Sequence, residues 1–408
     1  MRIFKLAALA AAISISGAAV AQTFELQSTE GDVIPSRLTA PKSAPVGNVE
    51  KQALHFAWAL QADAELRQQQ PFVAESREFW AQLDPGAAKR GFAFIPTAEG
   101  TLVRISRSGG ARTGALTLAD LALRVDGQSV EAAAAVRNLA GDAELKAAGA
   151  LFSEGTVVFE LAPSLVGKRV EVALPKSNES LLMHVLEPNS PYLMSLKANR
   201  MQAQPGGWIE LSAQFSEAGT SLRAERIGGL VTAPDGRSFE INFEIDKAGV
   251  GRARFEVPEQ SEGGPLPWEV HAFGVVSSGK TQVLRDARTG FQLTQPSARL
   301  IGSIQAKRLD DGLAFAVPVQ AAASGRFELR GTLYGSDAAG TLRPLAIAHT
   351  AEMLKSGSGM LELRFPAELL RAELGAPYAL KDLNLSDQSR MSLSEQRQLA
   401  LELPALPN

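Results

Sequence analysis

The sequence predicts a mainly β protein: tandem immunoglobulin-like β-sandwich domains preceded by a mixed β-sandwich domain that carries helices. Three observations carry this expectation. From about residue 191 onward, short runs of alternating apolar and polar residues recur between turn residues, the spacing expected of sandwich strands. Helical periodicity is confined to two stretches before residue 150. The 408-residue chain is 45% hydrophobic and has no cysteine, so cores rather than disulfides must hold it together.

The first element is a leader. Arg2 and Lys5 precede an uncharged, Ala-rich apolar run from Leu6 to Val20, and Ala19-Val20-Ala21 fits the small-x-small cleavage rule. Residues 1–21 therefore read as a signal peptide, with Gln22 as the mature N-terminus. The run is shorter than the roughly 18–20 apolar residues a membrane span needs, and polar Gln22, Glu25 and Gln27 follow at once. Without cysteine there is no lipid anchor, so the exported product is expected to be soluble.

Residues 22–190 read as one mixed β domain with helices. The segment up to about residue 48 is punctuated by Pro35, Pro41 and Pro45, with one strand expected at Thr23–Gln27. Leu54, Trp58, Ala62 and Leu66 fall four residues apart, which predicts a helical stretch over about 49–80, broken at Pro71. Trp58 and Trp80 are expected to anchor those helices on the sheet. Asp84-Pro85-Gly86 closes the stretch as a turn. Strands follow at 92–95, 101–105 and 120–125, then a second Ala-rich helical patch at 130–150, then strands at 156–161, 169–174 and 181–186.

The breaker cluster Pro188-Asn189-Ser190-Pro191 opens the second domain, 191–295. Its strands are expected at 192–199, 207–215, 222–233, 238–245, 251–257, 268–276 and 282–293. Pro234-Asp235-Gly236 between two alternating runs is a hairpin signal, because Gly adopts the positive φ such turns demand. The third domain, 296–408, repeats the scheme with strands at 298–306, 313–319, 326–334, 342–351, 360–365, 378–385 and 396–403. Phe327, Leu329, Gly331 and Leu333 share one face there, and a short helical turn spans 366–374. Tyr378 opens a strand where a sandwich corner often places a Tyr.

Three segments carry a family likeness: Glu99-Gly100-Thr101-Leu102-Val103-Arg104-Ile105-Ser106, then residues 324–334 (SGRFELRGTLY), then Gly375-Ala376-Pro377-Tyr378-Ala379-Leu380-Lys381-Asp382-Leu383. They resemble an uncharacterised family of exported bacterial proteins, a domain of unknown function with immunoglobulin-like C-terminal sandwiches. The resemblance implies export and the sandwich fold. It implies no catalytic residue.

Chemistry-bearing motifs are sparse. There is no H-E-x-x-H, nucleophile elbow or phosphate loop, and His55, His184, His271 and His349 are scattered. The histidines read as strand residues that are satisfied or face solvent. Glu240 and Glu244 fall on one face of a single expected strand, the pattern of a solvated strand rather than a glycosidase pair. Asp-Gly pairs at Asp126, Asp235 and Asp311 read as ordinary turns, with calcium, a hard oxygen-liganded cation, the ion they would best suit. Trp208 and Trp268 read as a core pair. The basic trio Arg104, Arg107 and Arg112, beside Gly109-Gly110, is the one candidate for contacting an anionic polymer.

A net charge of −3 argues against nucleic acid, which needs a basic footprint. No cofactor and no integral membrane segment are expected after cleavage. The sequence thus points to a periplasmic or secreted, non-enzymatic binding protein, with an unidentified protein or envelope polymer as partner. An envelope scaffold or secretion accessory is the alternative, followed by a hydrolase of an extracellular polymer with its site in the first domain.

Overall fold

The computed structural model describes residues 21–29, 31–41, 50–64, 66, 72–108, 116–149, 155–264, 266–279 and 281–405. The leader, apart from Ala21, and Arg112 lie outside the described residues. The protein is mostly β, built from antiparallel sheets stacked as sandwiches. It forms two compact units, one from residues up to Gln68 together with Gln295 onward, the other from Gln69–Thr294.

The first unit is a sandwich of two five-stranded sheets. One contains Ser303–Leu309, Gly312–Ala321, Ala298–Leu300 and Gly357–Pro366. The other runs Leu342–Leu354, Gly325–Ser336, Gly375–Asp387, Ser392–Leu403. Alternation decides the faces: Phe327, Leu329 and Leu333 are fully buried, as the pattern at 326–334 requires. The expected strand 298–306 is instead two strands, because Gly302 turns the chain at φ 62°.

Each sheet is completed by a strand from the N-terminal segment. Gln22–Glu25 pairs antiparallel with 303–306, and Leu54–Ala59 pairs with 346–351. Grouping these residues with the chain up to 190 therefore does not describe their packing: Phe24, Leu26, Ala57 and Ala62 lie against the C-terminal core. Three arginines hold the segment by its carbonyls. Arg326 Nη1 donates to Glu50 O and Gln52 O, both at 2.7 Å, Arg397 Nη1 to Gln27 O at 2.6 Å, and Arg371 Nη2 to Leu60 O at 2.7 Å.

The helix expected over 49–80 is absent from the described part of that range. Leu54–Ala59, Val73–Ser76 and Glu78–Leu83 are strands. Positions four apart share a face in a strand as well as in a helix, so Leu54 and Trp58 satisfied both periods. The intervening Phe56 follows only the period of two. The patch at 130–150 is partly helical, with turns at Ala132–Ala135 and Asp142–Ala147 around a strand, Val136–Ala140, that pairs with Val157–Leu161.

The second unit holds a ten-stranded, a six-stranded and a four-stranded sheet. The ten-stranded sheet runs Ser238–Asn242, Arg226–Thr232, Trp268–Ser278, Thr281–Leu293, Glu78–Leu83, Leu181–Leu186, Leu102–Arg107, Val157–Leu161, Val136–Ala140, with Gln202–Ala203 as the tenth, paired parallel to Thr281–Leu293. Two cores lie beneath it, one drawn from 79–185 and one from 192–293 plus Ala74. The sheet continues from one to the other through a single paired position, Asp286 opposite Glu78. The strand expected at 238–245 is two strands in two different sheets, with buried Phe243 at the crossover, so Glu240 and Glu244 do not share a face.

Candidate functional site

Burial of alternate residues leaves a row of polar and aromatic side chains on the open face of the ten-stranded sheet. Phe79, Ala81 and Leu83 are buried, so Glu78 and Trp80 face outward. By the same rule Met183 and Val185 leave His184 outward, Val103 and Ile105 leave Arg104, and Val270 and Ala272 leave His271. Asp286 and Arg288 share this face on the next strand. Register aligns them: His184 lies between Trp80 and Arg104, and His271 lies opposite Arg288.

Trp80 is the centre of the row. Its ring stacks on His184 with centroids 4.0 Å apart and planes within 9°. The guanidinium of Arg104 lies 4.7 Å from the Trp80 centroid and that of Arg288 lies 5.2 Å from it, both within cation–π range. Each histidine faces a carboxylate. His184 Nε2 donates to Glu78 Oε2 at 2.9 Å, and His271 Nε2 donates to Asp286 Oδ2 at 3.0 Å. Asp286 Oδ2 also accepts from the Trp80 backbone N–H at 3.0 Å, which ties the ring's strand to its neighbour.

The electrostatics follow from these contacts. The hydrogen bond from His184 holds the Glu78 carboxyl below its ordinary range, against partial burial. Burial pulls the Arg104 guanidinium below its ordinary value; Glu78 opposes that pull and Arg288 adds to it. Two guanidiniums are thus held beside one indole, with planar donor edges suited to carboxylate or phosphate oxygens. Stacking fixes them before a partner arrives, which lowers the ordering entropy that binding must overcome.

Of the two described members of the basic trio read from the sequence, Arg104 belongs to this row and Arg107 does not. Arg107 is three residues on, hence on the opposite side of the strand, and is ion-paired with Glu179. His184 and His271 are satisfied on strands as expected, and among the described residues no cluster of three His, Asp or Glu is placed to hold a metal. Two of the three Asp-Gly turns have side-chain partners: Asp126 Oδ1 accepts from Arg169 N and Asp235 pairs with Arg237.

The tryptophans depart most from expectation. Trp268 is buried, but Trp208 is half-buried, flanked by Arg200 and Arg254 at 4.6 and 4.7 Å. Trp58 and Trp80 anchor no helix; both lie on strands and face outward. Glu78, Asp286 and Arg288 were not singled out from sequence. The signal available was the alternation Glu78-x-Trp80 and Asp286-x-Arg288, a polar or aromatic residue at every second position of a strand.

Residues 45–187 match the N-terminal domain, and residues 297–404 the C-terminal domain, of the domain-of-unknown-function family DUF4785. Together the two matches cover more than half of the chain. The chain belongs to the DUF4785 family. A crystal structure of a DUF4785 family protein from Legionella pneumophila is similar in fold, with a TM-score of 0.64 at 18% identity over 90% of this chain and 98% of that one. The native conformation of Escherichia coli alpha-2-macroglobulin covers 83% of this chain and 20% of that one at 14% identity, with a TM-score of 0.29. A Salmonella alpha-2-macroglobulin mutant gives 0.27 over 83% and 21%, also at 14% identity. No curated protein sequence matches the chain. Within this DUF4785 protein, Glu78, Trp80, Arg104 and His184 fall in the N-terminal family match, whereas His271, Asp286 and Arg288 lie between the two matches.

Proposed function

We propose that this DUF4785 protein is exported to the periplasm or beyond and works there as a non-enzymatic binding protein. Its partner, a protein or an envelope polymer bearing anionic groups, would dock on the open sheet face around Trp80. The observation that carries this reading is the stacked set Arg104, Trp80, His184 and Arg288. Trp and Arg are the residue types that dominate binding energy at interfaces, and here packing already orders them. The export half rests on the tripartite leader and on the strand Gln22–Glu25, which begins where the cleavage rule places the mature N-terminus.

The test uses the full precursor expressed in a Gram-negative host, followed by capture from envelope extract with the purified mature chain. N-terminal sequencing is expected to read from Gln22 in the periplasmic or culture fraction; retention of residues 1–21 in the cytoplasm overturns the export half. A single envelope component is expected to be retained at about 50 mM salt, reduced at about 500 mM, and lost with the Arg104→Ala/Arg288→Ala variant. Capture unchanged by that variant overturns the site.

A further inference from the structure

The second unit carries another concave surface, on the open face of its six-stranded sheet, made wholly of residues between 197 and 254. It is a groove of about 760 Å³, within the range of small-ligand sites. Four adjacent strands supply its floor, with Asn242 added from the neighbouring sheet, and register arranges the floor side chains in rows. One row is Lys197, Ser212, Arg252 and Glu244, each opposite the next. The next row, two residues along the strands and so about 7 Å away, holds Asn199, Glu210 and Arg254.

The chemistry of these rows is selective. Every side chain that projects from these rows carries a hydrogen-bonding group; Leu211 and Ala253 also line the groove, but Leu211 is buried in the core beneath and Ala253 packs against that core. Such a floor disfavours lipids and aromatic ligands, because their burial would strip water from charged groups without replacing its hydrogen bonds. It favours a ligand rich in hydroxyls, each of which donates and accepts. The charges sharpen this. Glu210 stands opposite Arg254 and Glu244 opposite Arg252 in the register, while the ion pairs of these guanidiniums run to Glu256 and Asp246. Lys197 stands opposite Ser212 on one side and Val73 on the other, with no carboxylate across from it. One step further along the strands, Trp208 has the guanidiniums of Arg200 and Arg254 over its ring at 4.6 and 4.7 Å, which fixes the Arg254 side chain at the edge of the rows.

We propose that this groove binds an acidic oligosaccharide, its hydroxyls taken by Ser212, Asn199, Glu210 and Glu244 and a sugar carboxylate taken by Lys197. This site is separate from the Trp80 face and does not depend on the reading given to that face.

The experiment is calorimetric titration of the full mature chain with trigalacturonate, maltotriose and inorganic phosphate at pH 7 and low salt. Trigalacturonate is expected to bind saturably with a Kd below about 1 mM, and maltotriose at least about tenfold more weakly. Lys197→Gln is expected to weaken trigalacturonate binding about tenfold or more, and Ser212→Ala to weaken it less, both with unchanged thermal unfolding. Arg104→Ala/Arg288→Ala is expected to leave this binding untouched, which separates failure here from failure at Trp80. The proposal is overturned by no saturable binding up to about 10 mM trigalacturonate, by phosphate binding as tightly as the sugar, or by an unchanged Kd for Lys197→Gln.

Discussion

Arg285 and Glu187 form an ion pair at 2.6 Å with each side chain 1% exposed, at the place where the two cores of the second unit meet. The pair is fully surrounded: Arg285 also donates to Ser190 Oγ and to Tyr192 O, and Glu187 Oε1 accepts from Thr97 N. Burial pulls the guanidinium below its ordinary value, and Glu187 is the main force opposing that. Removing one partner strands a charge in a dry site, at a cost of about 3–5 kcal/mol. Glu187→Gln and Arg285→Met are each expected to destabilise the second unit by that order in urea unfolding. The double variant Arg285→Met/Glu187→Leu is expected to lose less than the sum of the singles. Additive losses would show that the pair does not act as a unit.

Glu78 makes the second unit sensitive to acid. A carboxyl whose native pKa is depressed adds stability above its unfolded value near 4.3, and loses that contribution as pH falls through the lower native value. Glu78→Gln is therefore expected to flatten the acid limb of the stability profile below about pH 5. At pH 7 the difference should stay under about 1 kcal/mol, because the Glu78 side chain is 34% exposed and solvent screens the pair. Thermal unfolding of both proteins from pH 3 to 7 checks this; parallel curves would count against it.

The arginine grips on the N-terminal segment predict a local effect. Arg326→Ala leaves Glu50 O and Gln52 O without their donor, and each lost charge-assisted hydrogen bond is worth about 1.5–3 kcal/mol. Amide exchange in the Leu54–Ala59 strand is expected to accelerate, while the Leu211 and Phe215 amides of the second unit keep their protection. Equal acceleration in both would mean global destabilisation instead.

Leu54, Phe56 and Trp58 all project from one face of a strand at the edge of its sheet, and Phe56 and Trp58 stack with His349 at 4.9 and 5.1 Å. Phe56 is 43% and Trp58 44% exposed, so the pair contributes little to the core. An unpaired edge with an apolar face invites strand-to-strand association. Trp58→Lys is expected to raise the concentration at which light scattering begins, with thermal unfolding nearly unchanged. A large drop in unfolding temperature would show that Trp58 packs more than its exposure implies.

The β character, the turns and most strands from residue 191 onward were legible because period-two alternation there has no competing reading: Phe327 to Leu333 permits only one face inward. The segment 49–80 was not, because Leu54 and Trp58 fit two periods, and their partner strand lies about three hundred residues away. Only that distant backbone decides between helix and strand. The site was half legible. Arg104 stood out by charge, whereas Glu78, Trp80 and Arg288 acquire meaning only once register sets them side by side on adjacent strands.

The pairing of Gln22 with Ala306 has a kinetic consequence. Gln22 must wait for a partner that emerges only after the whole second unit has been made. That unit is continuous in sequence and closes shorter loops, so it is set to fold early, while the first unit is delayed until the strands after Gln295 are available. Until then Phe24, Leu26 and Ala57 travel uncovered, and the interval between the two events is when this chain is most exposed to misassembly and to holdase chaperones.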